Sequence, residues 1–318
     1  MAKDGIVLLN MGGPNNLDEV ELFLKNMFRD KNILTMKSDL LRKFVAFMIV
    51  FRRVEASKEI YRQLGGKSPM VEHTKKLINK LHGKINNDDL IVDFAMRYTP
   101  PFASDVIKRL NENDVKNIYL IPLYPQYSTT TTKSSLEDFK KAYMQLGGSG
   151  KIFETQRFFS NNLYNLAILE RIKEEMKDGK YEDFDIIFSA HGLPKKIVEA
   201  GDSYEKEIEE HVEILKDMML ENGINFKNIH LAYQSKVGRL EWLKPSLEDK
   251  LQEIENKKVL IFAISFTIDN SETDYELSIE YKEVAQELGF EDYRVARSLN
   301  DSDLFVDALA DIYSKMRQ

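Results

Sequence analysis

One histidine of this sequence stands where a side chain could bind a metal or move a proton. His191 follows an apolar run and precedes Gly192 and Pro194, so it projects from the end of a predicted strand. Imidazole titrates near neutral pH and binds borderline metals, which makes His191 a candidate base or metal ligand. The alternative is a histidine that only holds a turn through hydrogen bonds.

A row of carboxylates follows later in the chain. Glu272, Glu276 and Glu280 are spaced by four, which places them on one face of a helix, and Asp269 could add a fourth acidic group. Such a row is either a ladder of oxygen ligands that conducts a hydrated divalent cation or a solvated acidic face. The four-spaced row contains no lysine that would relieve its charge repulsion.

Composition and missing motifs exclude several function classes. The 318 residues include no cysteine, which rules out disulfides, thiolate nucleophiles and iron–sulfur clusters held by cysteine. The formal net charge of −7 argues against nucleic acid as the main partner. The sequence also lacks the G-x-G-x-x-G, Walker A, H-E-x-x-H and G-x-S-x-G motifs.

Short β-branched runs alternate with amphipathic stretches, which predicts an α/β fold with parallel sheets. The predicted strands are Ile6–Asn10, Leu90–Met96, Asn117–Pro122, Ile152–Thr155, Asp185–Ser189, Ile229–Tyr233, Val259–Ile264 and Tyr293–Ala296. The order is doubled, because each half begins with an apolar strand that stops in a Gly-containing turn, N-M-G-G-P or S-A-H-G-L-P. Of the other histidines, His73, His82 and His211 are predicted on the surface, and His230 in a structural position.

Aromatic and basic side chains gather near the predicted strand ends, where parallel sheets bind ligands. Aromatic walls with a few polar anchors suit a flat apolar ligand, and arginine binds carboxylates bidentately. The aromatic residues are Tyr98, Tyr124, Tyr127, Trp242 and Phe266, and the basic ones are Arg52, Arg53 and Arg97.

The segment L-L-R-K-F-V-A-F-M-I-V-F-R-R (40–53) is short, very apolar and flanked by basic residues. It is either a core helix or an exposed apolar lip that touches a membrane or a greasy ligand. It is shorter than the roughly 18–20 apolar residues of a spanning helix. The N-terminus also lacks the pattern of a signal peptide, so we expect a cytoplasmic protein.

Several segments together resemble the ferrochelatase family, in the family's order and over nearly the whole chain. They are N-M-G-G-P (10–14), Y-R-Q-L-G-G-K-S-P (61–69), Y-P-Q-Y-S-T (124–129), S-A-H-G-L-P (189–194), Y-Q-S-K-V-G (233–238), W-L-K-P (242–245) and E-T-D-Y-E-L-S-I-E-Y (272–281).

The resemblance implies two similar Rossmann-like lobes of the class II chelatase type, with a porphyrin cleft between them. We expect an N-terminal lobe at 1–150, with the apolar lip at about 36–53, and a C-terminal lobe at 151–318. The implied reaction is insertion of Fe²⁺ into protoporphyrin IX with release of two protons, the last step of haem biosynthesis. Fe²⁺ is then a substrate, no cofactor is required, and the lip contacts the inner face of a membrane peripherally.

The resemblance also implies roles for particular residues. His191 is the histidine at the centre of the cleft and Glu272 its opposing carboxylate, while Glu276 and Glu280 belong to the acidic helix. Asp269 is grouped with them as a metal ligand. The resemblance places Met11, Arg53, Tyr61, Ser68, Arg97 and Tyr124 at the porphyrin, and the aromatic residues near the strand ends add Tyr98, Trp242 and Phe266 to the expected contacts.

One position departs from the family pattern. Many members have D-H-x-E where this chain has D-N-S-E, so Asn270 replaces a histidine and cannot take up a proton. Two other functions stay open on the sequence alone. One is a chelatase for coproporphyrin III, sirohydrochlorin or cobalt, and the other is a non-catalytic haem or porphyrin carrier.

Overall fold

The structure is a computed structural model that describes residues 3–236, 238 and 240–318. Within them, eight strands form two four-stranded sheets in which every neighbouring pair is parallel. Helices separate the strands along the chain. The predicted α/β class with two similar parallel sheets is therefore confirmed. Residue 237 of the Y-Q-S-K-V-G segment lies outside the described residues.

The first compact unit comprises Met1–Arg157 and Leu309–Gln318. Its strands run in the order β2-β1-β3-β4 and are β1 (Lys3–Asn10), β2 (Leu90–Met96), β3 (Val115–Pro122) and β4 (Lys151–Glu154). Its helices are α1 (Glu19–Arg29), α2 (Asp39–Gln63), α3 (Met70–Ile85), α4 (Ala103–Glu112), a π-helix at Thr129–Lys133 and α5 (Ser134–Gln145).

The second unit comprises Phe158–Ala308. Its strands run in the order β6-β5-β7-β8 and are β5 (Asp185–His191), β6 (Asn228–Gln234), β7 (Lys258–Ala263) and β8 (Asp292–Ala296). Its helical segments are α6 (Asn162–Glu175), a 3₁₀ turn at Tyr181–Asp183, α7 (Lys195–Glu199), α8 (Tyr204–Glu221), α9 (Leu247–Glu253), a π-helix at Glu272–Glu280 and α10 (Tyr281–Glu287). Helix α11 (Asp303–Met316) begins in this unit and ends in the first.

The unit limits differ from the expected lobes at residues 151–157 and 309–318. The loop-like Q-L-G-G-S-G segment predicts a lobe boundary near residue 150. However, β4 begins at Lys151 and pairs with β3 of the first sheet. The lobes at 1–150 and 151–318 stay a prediction as functional domains.

The two sheets repeat one arrangement around a central buried strand. β1 and β5 are buried along almost their whole length, as their apolar runs predict for strands covered on both faces. After the third strand of each sheet, one amide closes back on the central strand: Leu123 N donates to Leu9 O at 2.7 Å, and Ile264 N donates to Ser189 O at 3.0 Å. Since Met11 and His191 each lie two residues beyond these acceptors, they occupy corresponding positions.

Helix α2 contains the apolar segment 40–53. Ser38 caps its start by accepting a hydrogen bond from Leu41 N, and Ala46 and Val50 pack into a buried cluster. The opposite stripe is exposed and comprises Leu40, Phe44, Phe47 and Phe51, each at least 62% accessible. The helix is thus both a core element and an exposed lip. In the described part of the chain, no helix has the length and apolar character to cross a membrane.

His211 corrects one expectation from the sequence. It lies on α8 and is completely buried, whereas its charged sequence neighbours predicted a surface position. Its Nε2 lies 2.8 Å from Asn165 Oδ1, and its ring packs beside Tyr164. Burial lowers the pKa of His211 to about 3 because the charged imidazolium would lose its hydration.

This buried imidazole predicts acid sensitivity of the second unit. The pKa is about 3 when folded against 6.5 as the ordinary value, so the unfolded chain binds the extra proton between these values. The contribution of neutral His211 to the free energy of unfolding is therefore fully present above pH 6.5. It is lost as the pH falls toward 3, by up to about 5 kcal/mol. We expect His211→Gln to flatten this loss in urea unfolding followed by fluorescence of Trp242, the only tryptophan. Parallel acid losses in both proteins would contradict the assignment.

Candidate active site

His191 is the last residue of β5, and three contacts fix its place. Its N–H donates to Ser265 Oγ at 3.0 Å, and its carbonyl accepts from the Tyr204 hydroxyl at 3.0 Å. The Phe266 ring lies edge-on to the imidazole at 6.2 Å between centroids. The side chain remains 35% exposed, so a ligand can reach the held ring.

Glu272 contacts His191 directly. Its Oε2 lies 3.1 Å from His191 Nδ1, and it is the first residue of the π-helix 272–280. The two side chains therefore form a direct pair in this structure, and their placement on facing sides of a porphyrin pocket stays a prediction. Asn270, the departure from the family pattern, is buried and holds Glu272 N through its Oδ1 at 2.8 Å.

The charges around His191 favour its protonated form. Burial alone lowers the pKa of His191, but the charge and hydrogen bond of Glu272, together with the charge of Glu276, outweigh it. The net pKa is raised above 6.5. A raised pKa makes the neutral imidazole a stronger proton acceptor than a free histidine.

Glu276 is the second carboxylate of the site. Ser235 N donates to its Oε1 at 2.7 Å, the Ser235 hydroxyl donates to Oε2, and Gln234 Nε2 donates to Oε2 at 3.3 Å. Burial and the negative charge of Glu272 raise the pKa of Glu276, while these hydrogen bonds and His191 oppose the rise. His191, Glu272 and Glu276 therefore form one electrostatically connected group.

The other two predicted acidic ligands lie outside this group. Glu280 is largely exposed at the far end of the π-helix. The partial loss of its hydration and the charge of Glu283 raise its pKa. Asp269 is buried and accepts hydrogen bonds from Ser298 N at 2.9 Å and Asn300 Nδ2 at 2.6 Å. These bonds tie Asp269 to the loop after β8, and its role as a metal ligand stays a prediction. Across the described residues, no three His, Asp or Glu side chains are arranged to hold a metal ion.

Two aromatic residues predicted to line the porphyrin lie beside His191. Phe266 is the edge-on ring described above, and Trp242 packs over Gly192. A Cβ on Gly192 would lie 3.2 Å from Trp242 Cε3 and 2.9 Å from Gln234 O, so only glycine allows this close approach.

In the first unit, Arg97 is occupied by internal partners. Its guanidinium donates to Asp30 Oδ2 at 3.1 Å, to Asp138 Oδ1 at 3.2 Å and to Ser134 Oγ at 3.0 Å. These partners hold the Arg97 guanidinium inside the first unit, and its contact with a ligand carboxylate stays a prediction. Tyr98 is buried and donates its hydroxyl to the same Asp30 oxygen at 2.9 Å.

The remaining predicted porphyrin contacts fall into three places. Tyr124 is buried with its hydroxyl 3.2 Å from Ser135 Oγ. Tyr61 and Ser68 are buried near Gly13, where an added Cβ would lie 2.5 Å from Ser68 Oγ. Met11 is half-buried after β1, and Arg53 is exposed on α2 beside Phe28. Their contacts with a porphyrin stay a prediction.

Several supporting residues were missed from the sequence. Ser265 and Tyr204 hold the His191 backbone, Ser235 holds Glu276, and Asp30 holds Arg97. The segment Y-Q-S-K-V-G carried a signal for Ser235, because it follows a strand end. Asp30 has no local signal, since it lies 67 residues from its partner Arg97.

Comparison with known proteins gives the family. The ferrochelatase family model matches residues 3–317. The chain is 63% identical to a ferrochelatase of Sulfurimonas denitrificans, with 100% of both proteins covered. It is 49% identical to one of Campylobacter concisus, with 99% of both covered.

Solved structures agree with this at the level of the fold. The structure matches SirB from Bacillus subtilis with a TM-score of 0.59 at 10% identity, covering 99% of this chain and 95% of that one. It matches CbiX, described as the terminal enzyme for biosynthesis of sirohaem in denitrifying bacteria, with a TM-score of 0.52 at 9% identity, covering 98% of each. These identities bear on the chelatase-like fold alone. The chain, which places a histidine and a glutamate in contact at the end of its central strand, belongs to the ferrochelatase family.

Proposed function

We propose that this protein is a lyase that inserts Fe²⁺ into protoporphyrin IX, using His191 and Glu272 as one hydrogen-bonded pair. The observation that carries the proposal is the 3.1 Å contact between their side chains, which are partly exposed at the end of β5. Fe²⁺ is a substrate in this reaction, so the residues must pass the metal on and need not retain it.

The pair suggests how protons leave the porphyrin. Because Glu272 accepts at Nδ1 when His191 is protonated there, Nε2 is the imidazole nitrogen left to take a pyrrole proton. The carboxylate then stabilises the imidazolium that forms. Insertion releases two protons, and Glu276 is the neighbouring group suited to accept the second, since its raised pKa favours proton uptake.

The acidic π-helix suggests a path for the metal. Glu276 lies in electrostatic contact with the pair, and Glu280 is exposed one step farther along the same helix. Carboxylate oxygens bind hydrated divalent cations, so the two could deliver Fe²⁺ toward His191. A π-helix is rare and often marks a functional site.

An anaerobic spectroscopic assay tests this function. We expect Fe²⁺-dependent formation of protohaem from protoporphyrin IX by the purified protein. The same assay with coproporphyrin III, and with Co²⁺ and sirohydrochlorin, tests the alternative substrates. Faster turnover of either alternative would overturn the substrate assignment, and tight haem binding without insertion would instead support a carrier.

We also propose that the exposed stripe of α2 contacts a membrane peripherally. Phe47 and Phe51 stack at 6.4 Å between centroids in the exposed stripe, and the cations Lys43, Arg52 and Arg53 are exposed around it. Apolar side chains bordered by lysine and arginine suit the interface of an anionic bilayer. A cytoplasmic location, with this contact at the inner face of the membrane, stays a prediction.

Vesicle flotation tests the membrane contact. We expect the protein to float with vesicles that contain phosphatidylglycerol, and Phe47→Asp/Phe51→Asp to reduce the bound fraction several-fold. Leu220→Asp is a matched control, because Leu220 on α8 is as exposed as Phe51, at 71%, but lies outside the stripe. A wild-type protein that stays unbound, or an equal loss in the control, would rule out this surface.

A further inference from the structure

We propose that Ser235 and Gln234, at the end of β6, are positioning residues that hold Glu276 toward the His191–Glu272 pair and so determine how well Fe²⁺ is captured. This inference rests on the proposed function of the acidic row. It assigns a specific task to the Y-Q-S-K-V-G segment, whose strand-end position alone gave no role.

The contacts on Glu276 form a clamp. Both carboxylate oxygens are engaged, Oε1 by Ser235 N and Oε2 by the Ser235 hydroxyl and Gln234 Nε2. Hydrogen bonds to an ionised group are stronger than those between neutral groups. Three donors from two adjacent residues therefore fix the orientation of a side chain that could otherwise turn toward solvent.

Ser235 adopts a strained backbone to make these contacts. Its φ is +66°, in the left-handed region that favours glycine. Among the described residues, the other non-glycine residues with positive φ are Asn or Asp, which tolerate this region. Strain at a serine persists only where surrounding contacts maintain it, and such positions cluster at functional sites.

Gln234 connects the clamp to the histidine. It is almost completely buried, its Oε1 accepts from Ser189 Oγ at 2.7 Å, and its backbone carbonyl accepts from Gly192 N at 2.8 Å. The residue that holds Glu276 thus also fixes the turn directly after His191. The end of β6 therefore positions both the Glu276 carboxylate and the turn that follows His191.

A double-mutant cycle separates positioning from general stability. We expect Ser235→Ala and Glu276→Gln each to raise the apparent KM for Fe²⁺ about tenfold, with the KM for porphyrin within about twofold of wild type. The double variant should be no worse than the more affected single variant, since both changes remove the same interaction. Ser235→Gly should show the same Fe²⁺ defect with undiminished thermal stability, because glycine adopts positive φ without strain.

Ser278→Ala is the matched control, because its hydroxyl lies on the same π-helix and donates locally to Thr273 O at 2.7 Å. Wild-type behaviour of Ser235→Ala, or additive losses in the double variant, would overturn the clamp. Anaerobic calorimetric titration with Fe²⁺ alone keeps the two proposals apart. Fe²⁺ binding that depends on Ser235, in a protein that inserts no iron, would overturn the proposed reaction and support the clamp.

Discussion

Replacing His191 with alanine is expected to lower the rate of Fe²⁺ insertion by about 10²- to 10⁴-fold, the contribution of a positioned general base. The variant loses the Nε2 atom that we propose takes the pyrrole proton, and it leaves Glu272 without its partner at 3.1 Å. Porphyrin binding should change little, because the predicted porphyrin contacts Phe266 and Trp242 are held by a core cluster and by Gly192 respectively. Single-turnover insertion and porphyrin fluorescence titration measure the two quantities separately.

His230→Ala is the control for this experiment. His230 Nε2 also pairs with a carboxylate, Asp185 Oδ2 at 2.8 Å, but in a structural setting on β6. Asp185 keeps Asn228 and Asn256 as hydrogen-bond donors when the imidazole is removed, so the control should fold. Near-normal turnover of the His191 variant, or an equal loss in the control, would remove His191 from the mechanism.

The sequence predicts the framework well because buried parallel strands have a clear signature. All eight strands occur where apolar β-branched runs lie, and the paired turns N-M-G-G-P and S-A-H-G-L-P end the central strand of each sheet. That correspondence places Met11 where the second sheet has His191. An imidazole can take up a proton and a thioether cannot, so of these two strand ends the second has the side chain suited to proton transfer.

The sequence could not predict which polar groups satisfy one another. The four-residue spacing of the glutamates is visible in the sequence, but Glu272 contacts His191 across a sequence separation of 81, and the π-helix that begins at Glu272 has no local signal. His211 has charged sequence neighbours, yet the face of α8 that it occupies packs against Asn165 and Tyr164. Arg97 has the chemistry of a ligand anchor, and only the fold reveals the acidic side chains that engage it.

Replacing Asp30 with alanine is expected to destabilise the first unit by about 3 kcal/mol or more, the range for removing one partner of a buried ion pair. The Asp30 side chain is 1% exposed, and its Oδ2 accepts from Arg97, the Tyr98 hydroxyl and the Ser134 hydroxyl. Without the carboxylate, the hydroxyl of buried Tyr98 loses Asp30 as its acceptor, and Arg97 retains the half-buried Asp138 as an ionic partner. Urea unfolding followed by circular dichroism measures the loss.

Asp39→Ala is the matched control, because Asp39 also pairs with two cations, Arg42 and Lys43, but on the exposed start of α2. Exposed ion pairs contribute little, since water and salt screen them, so this variant should unfold close to wild type. Asp30→Asn should fall between the two, because an amide oxygen can still accept one of the three hydrogen bonds. Equal midpoints for Asp30→Ala and Asp39→Ala would show that the buried network around Asp30 adds no net stability.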